Sequence, residues 1–419
     1  MELKIGDIEC SKLAHKFGTP LYVYDEANMT RIMHDYRENL KSDKFETLVL
    51  FASKAFACME MYKLVNENGL GSDVVSGGEL YAALRCGVNP ANIYFHGNNK
   101  SEAEIKEGVK AGVNFVCDSL DEAKTLKKIS NRFKKNVNVL FRLNVGVEAH
   151  THKFIVTAHV DSKFGMLMDS KDLEKAIELV SSAQYLNLYG FHSHIGSQIF
   201  ETDGFFAAID KLICFYKKFD KKLVLNIGGG FGVHYTDEDH PIEPSKIARM
   251  LVEHVENKLN EEHVEISKLV IEPGRSIVAE SGYTLYTVGN IKKTPHKKYY
   301  FIDGGMADNI RPALYQAKYD AVVANRYDDA KTEEICLAGK CCESGDIIIE
   351  NIKMAKARKG DTICVFTTGA YGYSMSSHYN KAQTPAVVFV NGNKARVVIK
   401  RETYKDLYRN DVSTEYKEI

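Results

Sequence analysis

A lysine that could do covalent chemistry lies in a short apolar segment near the start of the chain. Lys54 stands within residues 51–56, where its neighbours are Phe, Ala and Ser. Burial lowers the pKa of a lysine, and the neutral amine can then form a Schiff base with a carbonyl compound. The alternative is a lysine that extends from a strand end into water. The segment alone favours this alternative.

A run of glycines at residues 228–232 could approach a phosphate group closely. Without side chains, the backbone N–H groups of Gly229 and Gly230 can reach such a ligand. The dinucleotide-binding fingerprint is excluded because it needs glycine where Val233 stands. A tight turn from strand to helix is the alternative. The position after a seventh predicted strand favours phosphate binding, because barrels often hold phosphate after strands seven and eight.

A second segment, residues 272–276, brings an acid and a base beside another glycine, Gly274. Glu272 could hydrogen-bond a pyridine nitrogen and keep it protonated, which makes the ring a stronger electron sink. Arg275 could pair with a carboxylate or a phosphate through its planar guanidinium. The alternative is a structural ion pair between the two side chains.

Two histidines, His192 and His194, fall on the sixth predicted strand. We expect that only one of them faces the strand-end site and that His194, which is nearer the strand end, is that residue. A metal site is the alternative, since His150, His152 and His159 are also available. No H-E-x-x-H motif supports that alternative.

The last third of the chain contains further polar segments at residues 303–306, 309–315, 340–346 and 369–376. Cys342 is a chemically sensible proton donor if another element holds it near a reacting carbon. Turns in a β domain, with an exposed Arg311, are the alternative.

The order of the predicted elements indicates an α/β fold. Amphipathic helical patterns separate eight apolar runs, which is typical of a (β/α)₈ barrel, with a doubly wound open sheet as the alternative. Unusual polar residues at the ends of these runs favour the barrel, because barrel active sites lie at that face. We predict a barrel over residues 25–275 and a β domain formed by residues 1–24 plus 276–419. The predicted barrel strands are 48–53, 70–74, 93–96, 115–118, 137–143, 188–194, 223–227 and 269–272.

Composition narrows the functional classes. The 55 Lys and Arg residues nearly balance 56 Asp and Glu residues, and this net charge of -1 does not indicate a nucleic-acid partner. The nine Cys residues form no C-x-x-C pair, and neither a signal peptide nor a membrane-spanning run is evident. We therefore expect a cytoplasmic protein with reduced thiols and no membrane partner.

Taken together, these segments resemble the fold-type III pyridoxal-phosphate decarboxylases, which have an alanine racemase-like fold. The similarity runs from the Lys54 segment to the Tyr371 loop. Residues 149–154, 194–198 and 341–346 resemble the diaminopimelate branch rather than the ornithine and arginine branches. The resemblance implies the cofactor pyridoxal 5'-phosphate and decarboxylation of meso-diaminopimelate to L-lysine.

The resemblance also implies a role for each site residue. Lys54 would hold the cofactor covalently, His194 would stack on its ring, and Cys342 would return a proton to the substrate carbon. The remaining assignments place Ser197, Gly229, Gly230, Glu272, Gly274, Arg275 and Tyr371 on the cofactor, and Arg275, Arg311, Tyr315, Glu343 and Tyr371 on the substrate.

The family assembles as homodimers with a shared active site, which would place Cys342 and Glu343 opposite the partner's Lys54. Two alternatives remain at this point. One is the same chemistry on another basic amino acid or a carboxylated polyamine, and the other is a non-catalytic relative that binds the cofactor or a protein partner.

Overall fold

The chain divides into two compact units in the computed structural model, which describes residues 1–147 and 162–414. The barrel unit comprises Asn28–Ala279, and the β unit comprises Met1–Ala27 and Glu280–Ile419. The sequence predicts boundaries after residues 24 and 275, whereas the compact units divide after Ala27 and Ala279. The functions assigned to the two predicted domains remain predictions.

Eight parallel strands form a closed barrel in the barrel unit, which confirms the predicted fold class. Closure occurs where Leu186–His192 pairs with both Val137–Asn144 and Leu223–Asn226. A short strand, Met166–Leu167, adds to Val137–Asn144. In chain order the barrel strands are Glu46–Ala52, Gly71–Val74, Ile93–Phe95, Asn114–Cys117, Val137–Asn144, Leu186–His192, Leu223–Asn226 and Ile266–Ile271.

Helices follow the barrel strands, and serine side chains fix several of their starts. Ser101 and Glu104 form a capping box, in which each side chain binds the backbone N–H of the other residue. Ser76, Ser119 and Ser170 cap three further helices. The helices are Glu26–Asn39, Met59–Glu67, Gly77–Arg85, Glu102–Ala111, Leu120–Phe133, Lys171–Ser181, Asp203–Tyr216, Pro244–Glu262 and Arg275–Val278, with 3₁₀ turns at Ser53–Ala55 and Pro90–Asn92.

The interior of the barrel is filled by side chains from most of its strands. Because side chains fill its centre, the part of the barrel that the structure describes has no channel for a ligand. A functional site is therefore expected at the face where the strands end. The fully buried members of this cluster are Leu50, Tyr94, Val116, Leu140, Val224 and Val270.

The β unit is organised by a strand from the N-terminus. Leu21–Asp25 lies between Gly282–Lys293, with which it is antiparallel, and Ala386–Asn391, with which it is parallel. The strands of the unit are Lys4–Ile5, Ile8–Glu9, Leu21–Asp25, Gly282–Lys293, Lys298–Ile302, Ala321–Val323, Glu333–Ala338, Ile347–Met354, Thr362–Val365, Ala386–Asn391 and Lys394–Ile399. The sheet therefore joins segments that are distant in the sequence.

Helical structure in the β unit is limited to short pieces. Cys10–Phe17 packs its buried Cys10 and Leu13 into a core with Val23 and Val388. The other pieces are the helices Arg311–Tyr315 and Tyr404–Leu407 and the 3₁₀ turns Ala324–Arg326, Tyr373–Met375 and Tyr379–Lys381. Over the residues that the structure describes, no helix combines the length and apolar character needed to cross a membrane.

Candidate active site

Lys54 lies in a 3₁₀ turn, Ser53–Ala55, at the point where the first barrel strand ends. Its charge acts on His194 and Asp73, so these side chains share one electrostatic environment at the strand-end face. The side chain itself is exposed in the single chain. This exposure agrees with the alternative that the segment alone favours, a lysine that extends from a strand end towards water.

Glu272 follows the eighth barrel strand, and its buried carboxylate accepts three side-chain hydrogen bonds. His96 Nε2 and Asn226 Nδ2 lie 2.8 Å and 2.7 Å from Oε1. His192 Nε2 lies 3.2 Å from Oε2. Burial raises the pKa of Glu272, but His96 and His192 outweigh burial and hold the pKa well below its usual range. The site therefore keeps a buried negative charge.

His96 links Glu272 to a second acid, Asp73, which lies 3.8 Å from His96 Nε2. Burial raises the pKa of Asp73, although His96 opposes the shift. Burial lowers the pKa of His96, but the two carboxyl groups outweigh burial and leave the pKa raised. The pKa of His192, by contrast, is lowered by burial to about 4. The two acids thus favour the protonated form of His96, whereas burial favours the neutral form of His192.

Both predicted strand histidines take part in the site, so the prediction that only one of them does is wrong. His192 is the last residue of its strand and points to Glu272 inside the barrel. His194 lies two residues further on, a spacing that strand alternation assigns to the same face, and its Nδ1 accepts a hydrogen bond of 3.3 Å from the Gly229 N–H. Burial, Lys54 and Arg142 lower the pKa of His194 well below its usual value, so the ring is uncharged.

The predicted glycines stand where neighbouring backbone leaves no room for a side chain. A Cβ on Gly229 would lie 2.0 Å from the Glu272 carbonyl oxygen, and one on Gly230 would lie 2.2 Å from the Gly196 oxygen. Gly230 also has a φ of 111°, which disfavours other residues. A Cβ on Gly274 would lie 2.8 Å from Ala52 Cβ. These close approaches let the glycine-rich loops, called the glycine cradle below, pack directly against neighbouring backbone at the strand-end face.

Arg275 joins the loops around this cradle. Its Nη2 donates to Ser197 Oγ at 3.0 Å, and its Nη1 donates to the Tyr235 hydroxyl at 2.6 Å. Ser197 follows the sixth barrel strand and Tyr235 follows the seventh. The structure therefore brings together all the predicted site residues of the barrel unit around one face, where a guanidinium and a glycine cradle suit an anionic group.

In the β unit, Arg311 and Tyr315 begin and end the same short helix. Arg311 is buried, and its Nη1 donates to the Tyr319 hydroxyl at 2.6 Å. Tyr315 is 37% exposed, so its ring remains available to a ligand. Tyr371 is half-buried in a turn with a φ of 59°.

Cys342 and Glu343 are exposed on a loop that a buried carboxylate holds in shape. Asp346 accepts hydrogen bonds from the N–H groups of Met306 at 2.6 Å and Cys341 at 2.7 Å. The Cys342 N–H donates to Asn380 Oδ1 at 2.8 Å. The loop backbone is therefore fixed on both sides of the predicted proton donor, while the thiol stays accessible.

Some residues to which the sequence analysis gave no role surround the predicted site residue Glu272. Asp73, His96 and Asn226 each lie at a strand end, which is a signal that the sequence carries. His96, His192 and Glu272 also have possible metal-ligand atoms within 4.8 Å of one another among the described residues, but hydrogen bonds between these atoms use them. The histidines of the rival metal site, and the motif at 149–154, lie outside the described residues.

The barrel unit, which carries a lysine and an ionised glutamate at its strand ends, matches the class of pyridoxal-dependent decarboxylases. The family model described as "Pyridoxal-dependent decarboxylase, pyridoxal binding domain" matches residues 26–279. This match covers the whole barrel unit, Asn28–Ala279, and the two residues before it.

Full-length comparisons narrow the class. The diaminopimelate decarboxylase of Bacillus subtilis (strain 168) is 44% identical over 98% of this chain and 95% of its own length. That of Staphylococcus aureus (strain COL) is 43% identical over 98% of this chain and 97% of its own length. A crystal structure of the M. jannaschii enzyme with L-lysine has a TM-score of 0.89 at 34% identity, covering 97% of this chain and 95% of that chain. The chain belongs to the diaminopimelate decarboxylase family, which confirms the resemblance.

Proposed function

We propose that this chain decarboxylates meso-diaminopimelate to L-lysine with pyridoxal 5'-phosphate held by Lys54. The observation that carries the proposal is the ionised, buried Glu272 with three hydrogen-bond donors, at the same barrel face as Lys54 and the glycine cradle. The names of the full-length relatives support the choice of substrate.

The residues of the barrel unit fit this cofactor. The backbone of Gly229, Gly230 and Gly274, positions where a Cβ would collide with neighbouring protein atoms, suits the phosphate together with Ser197 and Arg275. When bound, pyridoxal phosphate supplies an electron sink for the electron pair that departing carbon dioxide leaves behind.

Glu272 would hold a proton at the pyridine nitrogen, and its low pKa suits that task because the carboxylate stays ionised. Its hydrogen bonds to His96 and Asn226 orient the group. His194, uncharged at neutral pH, would stack on the ring as a flat and polarisable surface. These residues therefore set the charge and the orientation of the reacting centre.

The residues of the β unit would bind the substrate and complete the reaction. Cys342 would return a proton to the carbon that has lost its carboxylate, and its exposure leaves the thiol accessible for this step. Arg311 and Tyr315, with Arg275, would bind the distal carboxylate, and Glu343 would bind the distal ammonium. Tyr371 would contact both cofactor and substrate. In a homodimer, Cys342 and Glu343 would act opposite the partner's Lys54.

The decisive experiment measures carbon dioxide release by the cofactor-loaded protein offered meso-diaminopimelate, L-ornithine, L-arginine and L-lysine in parallel. We expect release from diaminopimelate alone, with L-lysine accumulating in equal amount. Release from another amino acid would overturn the substrate assignment and retain the mechanism. Absence of release with the cofactor bound would overturn the enzymatic proposal.

A further inference from the structure

The β unit contains a cavity of about 140 Å³ with acids and bases in its wall. Asp303 and Asp308 provide the carboxyl groups, and Lys340 and Arg401 provide the cations. An apolar cavity of roughly 150 Å³ accommodates a molecule as large as benzene, so this one has room for a small ligand. None of the four residues has a role in the proposed decarboxylation.

The acids are held mainly by backbone groups and by a threonine. Asp303 Oδ1 accepts a hydrogen bond from the Thr287 N–H at 2.9 Å, and its other oxygen accepts from the Thr19 hydroxyl. Asp308 is only 3% exposed, and its Oδ2 accepts from the Gly305 N–H at 2.9 Å. Both carboxyl groups are thus fixed in the wall of the cavity.

Within the described residues, the two cations interact electrostatically with these acids without forming ion pairs with them. Arg401 donates to the Pro20 carbonyl oxygen, and its charge interacts with those of Asp303 and Asp308. Lys340 likewise acts on Asp308. Over the described part of the chain, neither cation forms an ion pair with a carboxylate. Opposite charges therefore face the same small space without contacting each other.

This arrangement selects one kind of ligand. The cations disfavour a bound metal ion, and the acids disfavour a bound phosphate or sulfate. A molecule that carries both charges satisfies both sides at once. We propose that this cavity is a binding site for a small zwitterionic α-amino acid, its ammonium group toward Asp303 and Asp308 and its carboxylate toward Arg401 and Lys340.

The protonation of Asp308 supports this assignment. Burial raises the pKa of Asp308 to about 7, and the Gly305 N–H opposes the shift. An ammonium group in the cavity would lower that pKa again, so binding should strengthen as the pH rises from 6 to 8. The other charged or titratable groups that act on Asp308, or on which it acts, are Tyr22, Tyr286, Asp303, Lys340, Asp346 and Arg401.

Calorimetric titration of the cofactor-loaded protein with glycine tests the proposal, and acetate and methylammonium serve as the two halves of the zwitterion. We expect glycine to bind with a Kd of about 1 mM or tighter and each half to bind at least about tenfold more weakly. Acetate or methylammonium binding as tightly as glycine would overturn the proposal, and so would the absence of glycine binding.

Two substitutions locate the bound glycine. Lys340→Met should weaken glycine binding at least about tenfold, whereas Lys331→Met, which removes an exposed lysine outside the cavity wall, should leave it unchanged. Asp308→Asn should also weaken binding, and it keeps the shape of the side chain should Lys340→Met fold poorly. Unchanged glycine affinity in folded Lys340→Met and Asp308→Asn proteins would place the binding elsewhere and overturn the proposal.

Discussion

Glu272 in the barrel unit and Asp308 in the β unit are buried to a similar degree, yet their pKa values move in opposite directions. Glu272 accepts hydrogen bonds from three side chains, two of which, His96 and His192, also lower its pKa electrostatically. The Asp308 carboxyl accepts one backbone hydrogen bond, and its nearest acids oppose its ionisation. Burial alone therefore does not decide whether an acid is charged. The donors around it decide.

The proposed functions of the two units also differ. The barrel unit holds a permanent charge at its strand ends, which suits residues that act on the reacting centre. The β unit presents accessible side chains, such as Cys342 and Tyr315, which suit contact with the substrate. Substitutions in the barrel unit should thus act chiefly on kcat, and those at substrate contacts in the β unit on KM.

The largest effect is expected at Lys54. Lys54→Ala should lower turnover of meso-diaminopimelate by at least about 1000-fold, because it removes the amine that would hold the cofactor. Steady-state carbon dioxide release measures the loss, and Lys63→Ala, at an exposed lysine of the barrel unit, is the matched control. Turnover within about tenfold of the unsubstituted protein would contradict the assigned role.

Glu272→Gln tests the charged carboxylate of the barrel unit. We expect kcat to fall by about 100-fold with little change in KM, since the substitution keeps the shape and removes the preorganised charge. Glu107→Gln, at an exposed acid of the same unit, should have no effect. A change confined to KM would mean that Glu272 acts on substrate binding instead.

Arg311→Ala tests the proposed substrate contact in the β unit. KM for meso-diaminopimelate should rise by about tenfold with kcat nearly constant, because the distal carboxylate loses a charged partner. Tyr319→Phe, which removes only the hydroxyl that accepts from Arg311, should change KM less. A fall in kcat with unchanged KM would reverse the proposed division between the units.

The smallest effect should come from Asp308→Asn. The raised pKa of Asp308 means that the folded protein holds its proton up to about pH 7, whereas the unfolded chain releases it near pH 4. Stability from this group is therefore present below about pH 4 and is lost as the pH rises to 7. The substitution should stabilise the protein by about 1 kcal/mol at pH 8 and have little effect near pH 4.

Thermal unfolding midpoints at the two pH values measure the effect of Asp308→Asn. A midpoint that falls at pH 8, or a difference that does not depend on pH, would mean that Asp308 is ionised in the folded protein. In that case the contrast with Glu272 would disappear.

The barrel could be predicted from the sequence because the patterns that indicate its strands and helices are local. Each apolar run and each serine before a helix, such as Ser101, predicts its own element without reference to distant residues. The residues that hold Glu272 could not be paired in this way, because Asp73, His96 and Asn226 meet only when the barrel closes. Polar strand ends therefore indicated this face of the barrel, but not which side chains there hydrogen-bond to Glu272.

Two further residues show what local sequence patterns do not predict, namely the orientation and the surroundings of a side chain. Residues two apart on a strand share a face, so alternation does not separate His192 from His194, and the expectation that only one of them faces the site is wrong. The apolar neighbours of Lys54 raised the possibility of a desolvated lysine, but neighbours in sequence need not surround a side chain in space, and Lys54 is exposed.

The N-terminal strand Leu21–Asp25 has a consequence for how the chain folds. Its two partners, Gly282–Lys293 and Ala386–Asn391, are synthesised after the entire barrel. During translation this strand must therefore wait unpaired while the barrel forms, and the β unit is assembled last. Such long-range pairing slows folding and leaves sheet edges open to other chains in the interval. The time between the synthesis of the two halves of the β unit is thus the period when the nascent protein is most exposed to aggregation.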